Sequence, residues 1–294
     1  MLPEIVRAAA LNFENRTVID SENNIHLSYK DLDLISDEVS GALLQRGLLE
    51  GSILLLSLPT SIEYLIIYIA ASKIGVITAG VNPRFRASER KSICEITEPD
   101  LIIATSELSD GIPKDLSVEI TEITEITEIT ENTEKLLAGL RSDSFQPKKL
   151  EENLDRAVCI CFTSGSTGIP KGALFTNKEL LAIQKMDTEG VWGSGGHLVP
   201  STAFAHVGSM TKLPWQLSKG VTLHVLDRWK AEKVMGLIET HRISAIAGVS
   251  AQIALLLKVE NFENYDLSCV RAIVAGGGPS PPSLVIRAKN NFNA

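Results

Sequence analysis

Ten consecutive residues, Thr163 to Gly172 (TSGSTGIPKG), hold the densest chemistry in this sequence. Thr163, Ser164, Ser166 and Thr167 supply four hydroxyls. Gly165 and Gly168 let the backbone adopt conformations in which successive amide N–H groups converge on an anion. Lys171 adds a mobile point charge able to reach terminal phosphate oxygens, and Pro170 stiffens the turn before it. Such a set suits the cradling of phosphate. A Walker A loop would need Gly, four residues, then Gly-Lys-Ser/Thr opening a helix. Here Lys171 precedes a glycine and ALFT continues as strand, so that type is excluded. A hydroxyl-rich surface turn is the plainer alternative. It does not call for a buried strand, AVCICFT, that runs straight into hydroxyls, spaced glycines and a Pro-Lys-Gly stop. A loop so placed sits at the carboxyl edge of a sheet, where α/β proteins bind ligands.

Other residues carry weaker signals. His206 lies in the apolar segment FAHVGSM, where a lone imidazole is commonly packed in a core, and nothing nearby suggests a Ser-His-acid arrangement. His26, His197, His224 and His241 have no comparable context and read as structural or exposed. Gly276, Gly277 and Gly278 follow an apolar strand and form either a tight exit turn or a backbone that a flat ring can approach closely. Gly248-Val249-Ser250 is only a run of small residues. Trp192, Trp215 and Trp229 show no spacing that implies a stacking site, so packing is their default role. Cys94, Cys159, Cys161 and Cys269 include no CxxC pair and no adjacent His, which argues against a disulfide framework or a zinc site and fits reduced cytosolic thiols.

The elements that must position the loop follow from local patterns. Ser28 with Asp31 forms a capping-box signal, and Leu32, Ile35, Val39 and Leu43 follow at helical spacing until Gly47 and Gly51. ILLLSLP reads as a buried strand, and Ser61 can cap a helix carrying Ile62, Leu65, Ile66, Ile69 and Ala70. VITAGVNP, SERKSICEITEPD and LIIATS continue as strand, helix and strand. Strand and helix alternate, which predicts a mostly parallel sheet with helices on its faces. From Ile120 an Ile-Thr-Glu triplet repeats four times. Period three matches neither helix nor strand, so the insert (residues 119–134) reads as a surface excursion. The charged stretch Arg141 to Asp155 reads as a linker. After AVCICFT come a helix from about Asn177, strands near His197–Ser201 and Val221–Leu226, and a helix over Ala231–Thr240. A strand at Ile243–Ala247, a helix around Ala251–Lys258, a strand at Val270–Ala275 and a short final helix complete the pattern.

Length and composition bound the function. With 294 residues, 44% of them hydrophobic, the chain can bury a sizeable core in two lobes of ~150 residues. A net charge of −8 argues against nucleic acid or an anionic membrane as partner. The most apolar stretch, Ile53 to Val81, is broken by Pro59, Glu63 and Lys73, which predicts no membrane span. The N-terminus lacks a basic start before a long apolar run, so no signal peptide is expected.

The glycine loop resembles the phosphate-binding signature of the adenylate-forming superfamily: acyl- and aryl-CoA synthetases, peptide-synthetase adenylation domains and luciferases. Three other segments match in order. The stretch from LSYKDLDL to VNPRF is similar to the family's N-terminal region, FAHVGSM resembles its PLFHxxG segment, and VRAIVAGGGPSPPSL resembles its GGAP-type loop. The resemblance implies that Thr163, Ser164, Gly165, Ser166, Thr167, Gly168 and Lys171 hold the phosphates of ATP, and that Gly276, Gly277, Gly278 and Pro279 lie along adenine. It further implies that His206 gates the acid tunnel, with Val207, Gly208 and Gly248 beside the acid. Magnesium should accompany ATP, although no dedicated ligand is visible, and CoA would take the acyl group.

Departures from the family pattern shape the remaining expectations. Ala203 replaces the proline and Ser209 the second glycine of PLFHVGG. The sequence ends at Asn293-Ala294, before a YGxTE segment with its glutamate and before a small domain bearing a catalytic lysine, so no catalytic residue is assigned and turnover by this stretch is open. FAHVGS in place of FDxS leans away from amino-acid selection and toward an acyl- or aryl-CoA ligase. A peptide-synthetase fragment, an incomplete acid- or nucleotide-binding module and an unrelated phosphate-binding protein remain as alternatives. The fold expected is α/β: two stacked βαβ-type lobes, over residues 1–150 and 151–294, with mostly parallel sheets flanked by helices. The partner expected is a small-molecule carboxylic acid in the cytoplasm, with a homodimer left open.

Overall fold

The computed structural model describes residues 1–22, 24–112, 119–122, 137–142, 145–163, 169–188 and 195–292. Ser164, Gly165, Ser166, Thr167, Gly168, Trp192 and the part of the insert over residues 123–134 lie outside the described residues.

The chain opens with helix α1 (Leu2–Asn12), strands β1 (Thr17–Asp20) and β2 (Ile25–Ser28), and helix α2 (Tyr29–Gln45). Ser28 caps α2 by accepting the Asp31 N–H at 3.0 Å while its hydroxyl donates to the Asp31 carboxylate at 2.6 Å. The helix closes at Gly47, whose φ of +87° permits the Leu48 N–H to reach back to the Leu43 carbonyl. Strand β3 (Ile53–Ser57) leads to helix α3 (Ile62–Lys73), capped by Ser61 as expected. Strand β4 (Ile77–Gly80), helix α4 (Ala87–Thr97) and strands β5 (Leu101–Ala104) and β6 (Glu119–Glu122) follow. Strands β7 (Ala157–Thr163) and β8 (Lys171–Thr176) form a hairpin that leads into helix α5 (Asn177–Thr188). The remainder comprises β9 (Gly196–Leu198), α6 (Val207–Met210), α7 (Leu213–Ser218), β10 (Val221–Val225), α8 (Ala231–His241), β11 (Ala245–Val249), α9 (Ser250–Leu256), β12 (Ala272–Gly276) and α10 (Pro282–Phe292).

The strands assemble into three sheets: β6-β5-β3-β4-β7-β8, β2-β1-β10-β9 and β11-β12. In the largest, every pairing is parallel except β7 with β8, and in the second β10 lies parallel to both β1 and β9. The α/β class read from the alternating pattern is thus the class observed. Period-two alternation explains the layering of the six-stranded sheet. Leu54, Leu56, Ile103 and Cys159 join the core shared with α2 and α3, whereas Leu55, Ala79, Ile102 and Phe162 form a second cluster with Ile93 and Cys94 of α4. Helix α3 is buried on nearly all sides, and its final residue, Lys73, is only 2% exposed. Its ammonium donates to Asp33 Oδ1 and Asp37 Oδ1, each at 2.6 Å, which makes the burial tolerable.

Two features differ from the sequence-based expectation. Glu119–Glu122, which includes the first Ile-Thr-Glu triplet, is an edge strand parallel to β5 and not an excursion from the sheet. A four-residue edge strand takes its pairing from a long-range neighbour and needs no internal period. Moreover, β7 and β8 complete the sheet begun by β3, and β1 pairs with β10, so both larger sheets draw strands from either side of residue 150.

Candidate functional site

The hairpin β7-β8 sets the geometry of the glycine loop. Thr163 pairs directly with Lys171 and Phe162 with Gly172, so the loop springs from two facing, exposed strand ends. Strand β7 runs parallel to β4, and the loop therefore leaves at the carboxyl edge of the parallel sheet. Pro170 is buried and Lys171 exposed, a rigid base beneath a mobile charge. Gly172 is required for another reason. A Cβ there would lie 2.8 Å from Ile160 Cγ2 and 2.9 Å from Phe162 Cε1, so the glycine lets the two strands close on each other.

The His206 segment covers the same edge. At Gly80, the last residue of β4, a Cβ would meet the Tyr64 hydroxyl at 2.5 Å and Ala205 Cα at 3.1 Å. Met210 Sδ lies 3.8 Å from Cys161 Sγ and 3.8 Å from the Tyr64 hydroxyl, which fixes α6 against β7. His206 caps α6, its Nδ1 accepting the Gly208 N–H at 3.0 Å. That acceptor role puts the proton of the neutral ring on Nε2. Burial holds the imidazole below its ordinary pKa, so the neutral form prevails at pH 7. Val207 and Gly208 are exposed beside it. Ser209, where the resembled motif has glycine, donates to the Thr202 carbonyl at 2.9 Å and pins the segment internally.

A third group stands at the ends of the parallel pair β11-β12. Gly248 pairs with Ala275 and Val249 with Gly276. Of Gly276, Gly277 and Gly278, only Gly277 has a positive φ, +76°, and a Cβ on it would approach Val249 Cγ1 at 3.2 Å. Gly276 and Gly278 face open space, and Pro279 is exposed. Ser250 fastens this turn to the end of β11 through the Ser280 hydroxyl at 2.7 Å.

Gln252 joins the second and third groups. Its Oε1 accepts the Val249 N–H at 2.9 Å, and its Nε2 donates to the Ser201 carbonyl at 2.7 Å. Sequence reasoning passed over Gln252, Tyr64 and Met210. Tyr64 and Met210 have no local signature, since they meet across 146 positions, and of Gln252 only the reach to Val249, three residues back, is local; its bond to Ser201 spans 51 positions. His197, His224 and His241, which the sequence presents as unrelated, converge on one another, and His26 is exposed. The four cysteines are free thiols; burial pushes Cys94 up to about 11, and contact with Cys159 together with burial raises Cys161, so neither is a poised nucleophile. No helix among the described residues is long and apolar enough to cross a membrane.

A family model described as AMP-binding enzyme matches residues 6–294. A 4-coumarate-CoA ligase of Narcissus pseudonarcissus is 25% identical over 279 residues, an alignment covering 91% of this chain and 50% of the relative. The long-chain-fatty-acid–CoA ligase FadD13 of Mycobacterium tuberculosis is likewise 25% identical, over 91% of this chain and 53% of its own length. The chain therefore spans about half the length of the curated relatives it matches. Among solved structures, the inhibitor-bound N-terminal domain of FACL13 from Mycobacterium tuberculosis superposes with a TM-score of 0.87 at 21% identity, covering 98% of this chain and 73% of that one. That likeness establishes the fold.

Proposed function

The chain belongs to the AMP-binding enzyme family, and from that premise we propose that it serves ATP-dependent activation of a carboxylic acid for transfer to CoA. A carboxylate oxygen attacks the α-phosphorus of ATP, the bond from that phosphorus to the bridging oxygen breaks, and pyrophosphate leaves. The acyl-adenylate is then open to attack by the CoA thiol at its carbonyl carbon, with AMP departing. Acyl- or aryl-CoA ligation is the class that the relatives' names support.

Each group has a part in this reading. Thr163, Ser164, Gly165, Ser166, Thr167, Gly168 and Lys171 hold the phosphates, because hydroxyls, amides and one mobile cation stabilise charge at a transferring phosphate without covalent chemistry. Gly276, Gly277 and Gly278 offer the ring of adenine a backbone without side chains, and Pro279 continues that surface. His206, Val207, Gly208 and Gly248 border the acid, His206 as a neutral gate and not as a base. Magnesium enters the proposal only as the companion of ATP. Among the described residues the one grouping of possible metal ligands is three imidazoles, the wrong donors for a hard cation. The relatives' names support a small-molecule acid, the net charge of −8 argues against nucleic acid, and four free thiols support a reducing cytoplasm as the setting.

The observation that carries the proposal is the register Thr163↔Lys171, which holds the loop's first hydroxyl and its cation across from each other at the carboxyl edge of the sheet. Titration calorimetry with ATP and with pyrophosphate tests it. Lys171→Ala is expected to weaken both at least about tenfold, the loss of one charge-assisted contact. Affinity unchanged from wild type would remove Lys171 from the site. Acid-dependent ATP–pyrophosphate exchange over aromatic and fatty acids separates activation from mere nucleotide binding.

A further inference from the structure

Three histidines distant in sequence meet on the sheet β2-β1-β10-β9. His197 on β9 pairs with Thr222 of β10, which puts His224, two residues further along, on the same face as its diagonal neighbour. His241, the last residue of α8, closes over that face. The ring centroids lie 5.1 Å apart for His197 and His224, 5.0 Å for His197 and His241, and 4.3 Å for His224 and His241. One ring nitrogen from each lies within 4.8 Å of the others. We propose that His197, His224 and His241 form a binding site for a divalent transition metal of the zinc type, with the fourth position left to solvent.

Donor chemistry selects the metal class. Three neutral imidazoles, with no carboxylate or thiolate in the group, suit zinc, cobalt, nickel or copper and not magnesium or calcium. Burial first, and the neighbouring imidazoles after it, hold His224 down to about 3, and burial and then His241 lower His197, so these two rings are available in neutral form. Arg16, which also bears on His197, opposes a dication, and the three donors must outweigh it.

The convergence of the trio carries a cost at His224. His224 is fully buried, and its Nε2 meets His197 Nδ1 at 2.8 Å, but its Nδ1 has no partner. Whichever ring donates in that bond, the other nitrogen of His224 is unserved, and a buried polar atom in that state is costly. A metal would replace the imidazole–imidazole hydrogen bond by coordination to one nitrogen of each ring; the second nitrogen of His224 keeps its N–H and its cost, so it is the convergence of three rings, and not that atom, that points to an ion. The placement also suggests what the metal would do. His224 stands in a strand of the larger core, and α8 packs in the separate cluster formed with β11, α9 and α10. A bound ion would clip the two cores together.

The test uses the full chain, stripped of metal by a chelator and dialysed. Zn²⁺ and Co²⁺ are titrated separately, and imidazole ¹⁵N resonances are followed with Zn²⁺. The expected result is one ion per chain, a tetrahedral cobalt d–d band, and coincident shifts of the His197, His224 and His241 resonances. The thermal midpoint should rise with Zn²⁺. His197→Ala and His241→Asn, both at partly exposed positions, should each cut affinity at least about tenfold, whereas His206→Ala should retain it. Absence of one-to-one binding would overturn the proposal, and so would wild-type affinity in the two variants. The wild-type resonances decide the matter even if a variant fails to fold, since shifts confined to other histidines exclude the cluster.

Discussion

At the scale of single residues, the glycines around the loop have separable jobs. Gly172 is a packing glycine, with Ile160 and Phe162 where a side chain would go. Gly172→Ala is expected to cost about 1–3 kcal/mol through overpacking of the hairpin, read as a lower urea midpoint at constant slope. A neutral result would mean that the strands can part without penalty. Gly277→Ala meets a different obstacle, a φ of +76°, and is expected to cost about 1 kcal/mol. His206 gives a pH prediction. Its folded-state pKa lies below the ordinary value of 6.5 because of burial, so the unfolded chain takes up the proton first. The contribution to stability is complete above about pH 6.5 and declines as the pH falls through the folded pKa, where a proton on Nδ1 would break the cap on Gly208. An NMR titration of the His206 ring should show its midpoint below 6.5, and a midpoint above that value would contradict the assignment.

At the scale of elements, helices α2 and α3 are joined by a charge as well as by apolar contacts. Lys73→Ala would leave Asp33 and Asp37 facing a cavity in place of an ammonium and is expected to cost about 3–5 kcal/mol in equilibrium unfolding. Ser28→Ala, which removes only a cap, should cost about 1 kcal/mol. Comparison of the two ranks tertiary against local stabilisation of α2. The caps at Ser28 and Ser61 were legible in sequence because they depend on residues three positions away, and the buried strands were legible because their apolar runs are continuous. Strands β1, β2 and β6 were not. TVID and IHLS are too short to show a period, and β6 takes its place from β5, across a stretch that no local pattern spans. The candidate site divides along the same line: the loop and the glycine turn are written in consecutive residues, whereas Gln252 and the histidine trio exist only once β9, β10, α8 and α9 have packed.

At the scale of the whole molecule, the N-terminal segment is integral to a sheet built from the distant half of the chain. Strand β1 lies between β2 and β10, with Val18 opposite Leu223. Removal of residues 1–28 would strip β10 of a partner and expose the buried faces of Val221, Leu223 and Val225. Such a truncation is expected to be insoluble or aggregated by size-exclusion chromatography, and a soluble monomer with native circular dichroism would refute that dependence. The same pairing imposes an order of events during synthesis. At ~5–20 residues per second, Leu223 emerges about 10–40 s after Val18. For that interval β1 and β2 can form a hairpin but not a sheet, and an isolated hairpin is marginal in water. Strands β1 and β2 must therefore wait for β10. Codon changes that slow translation between these strands should lengthen the period of exposure and raise the share of newly made chain lost to aggregation, with no change in the amino-acid sequence.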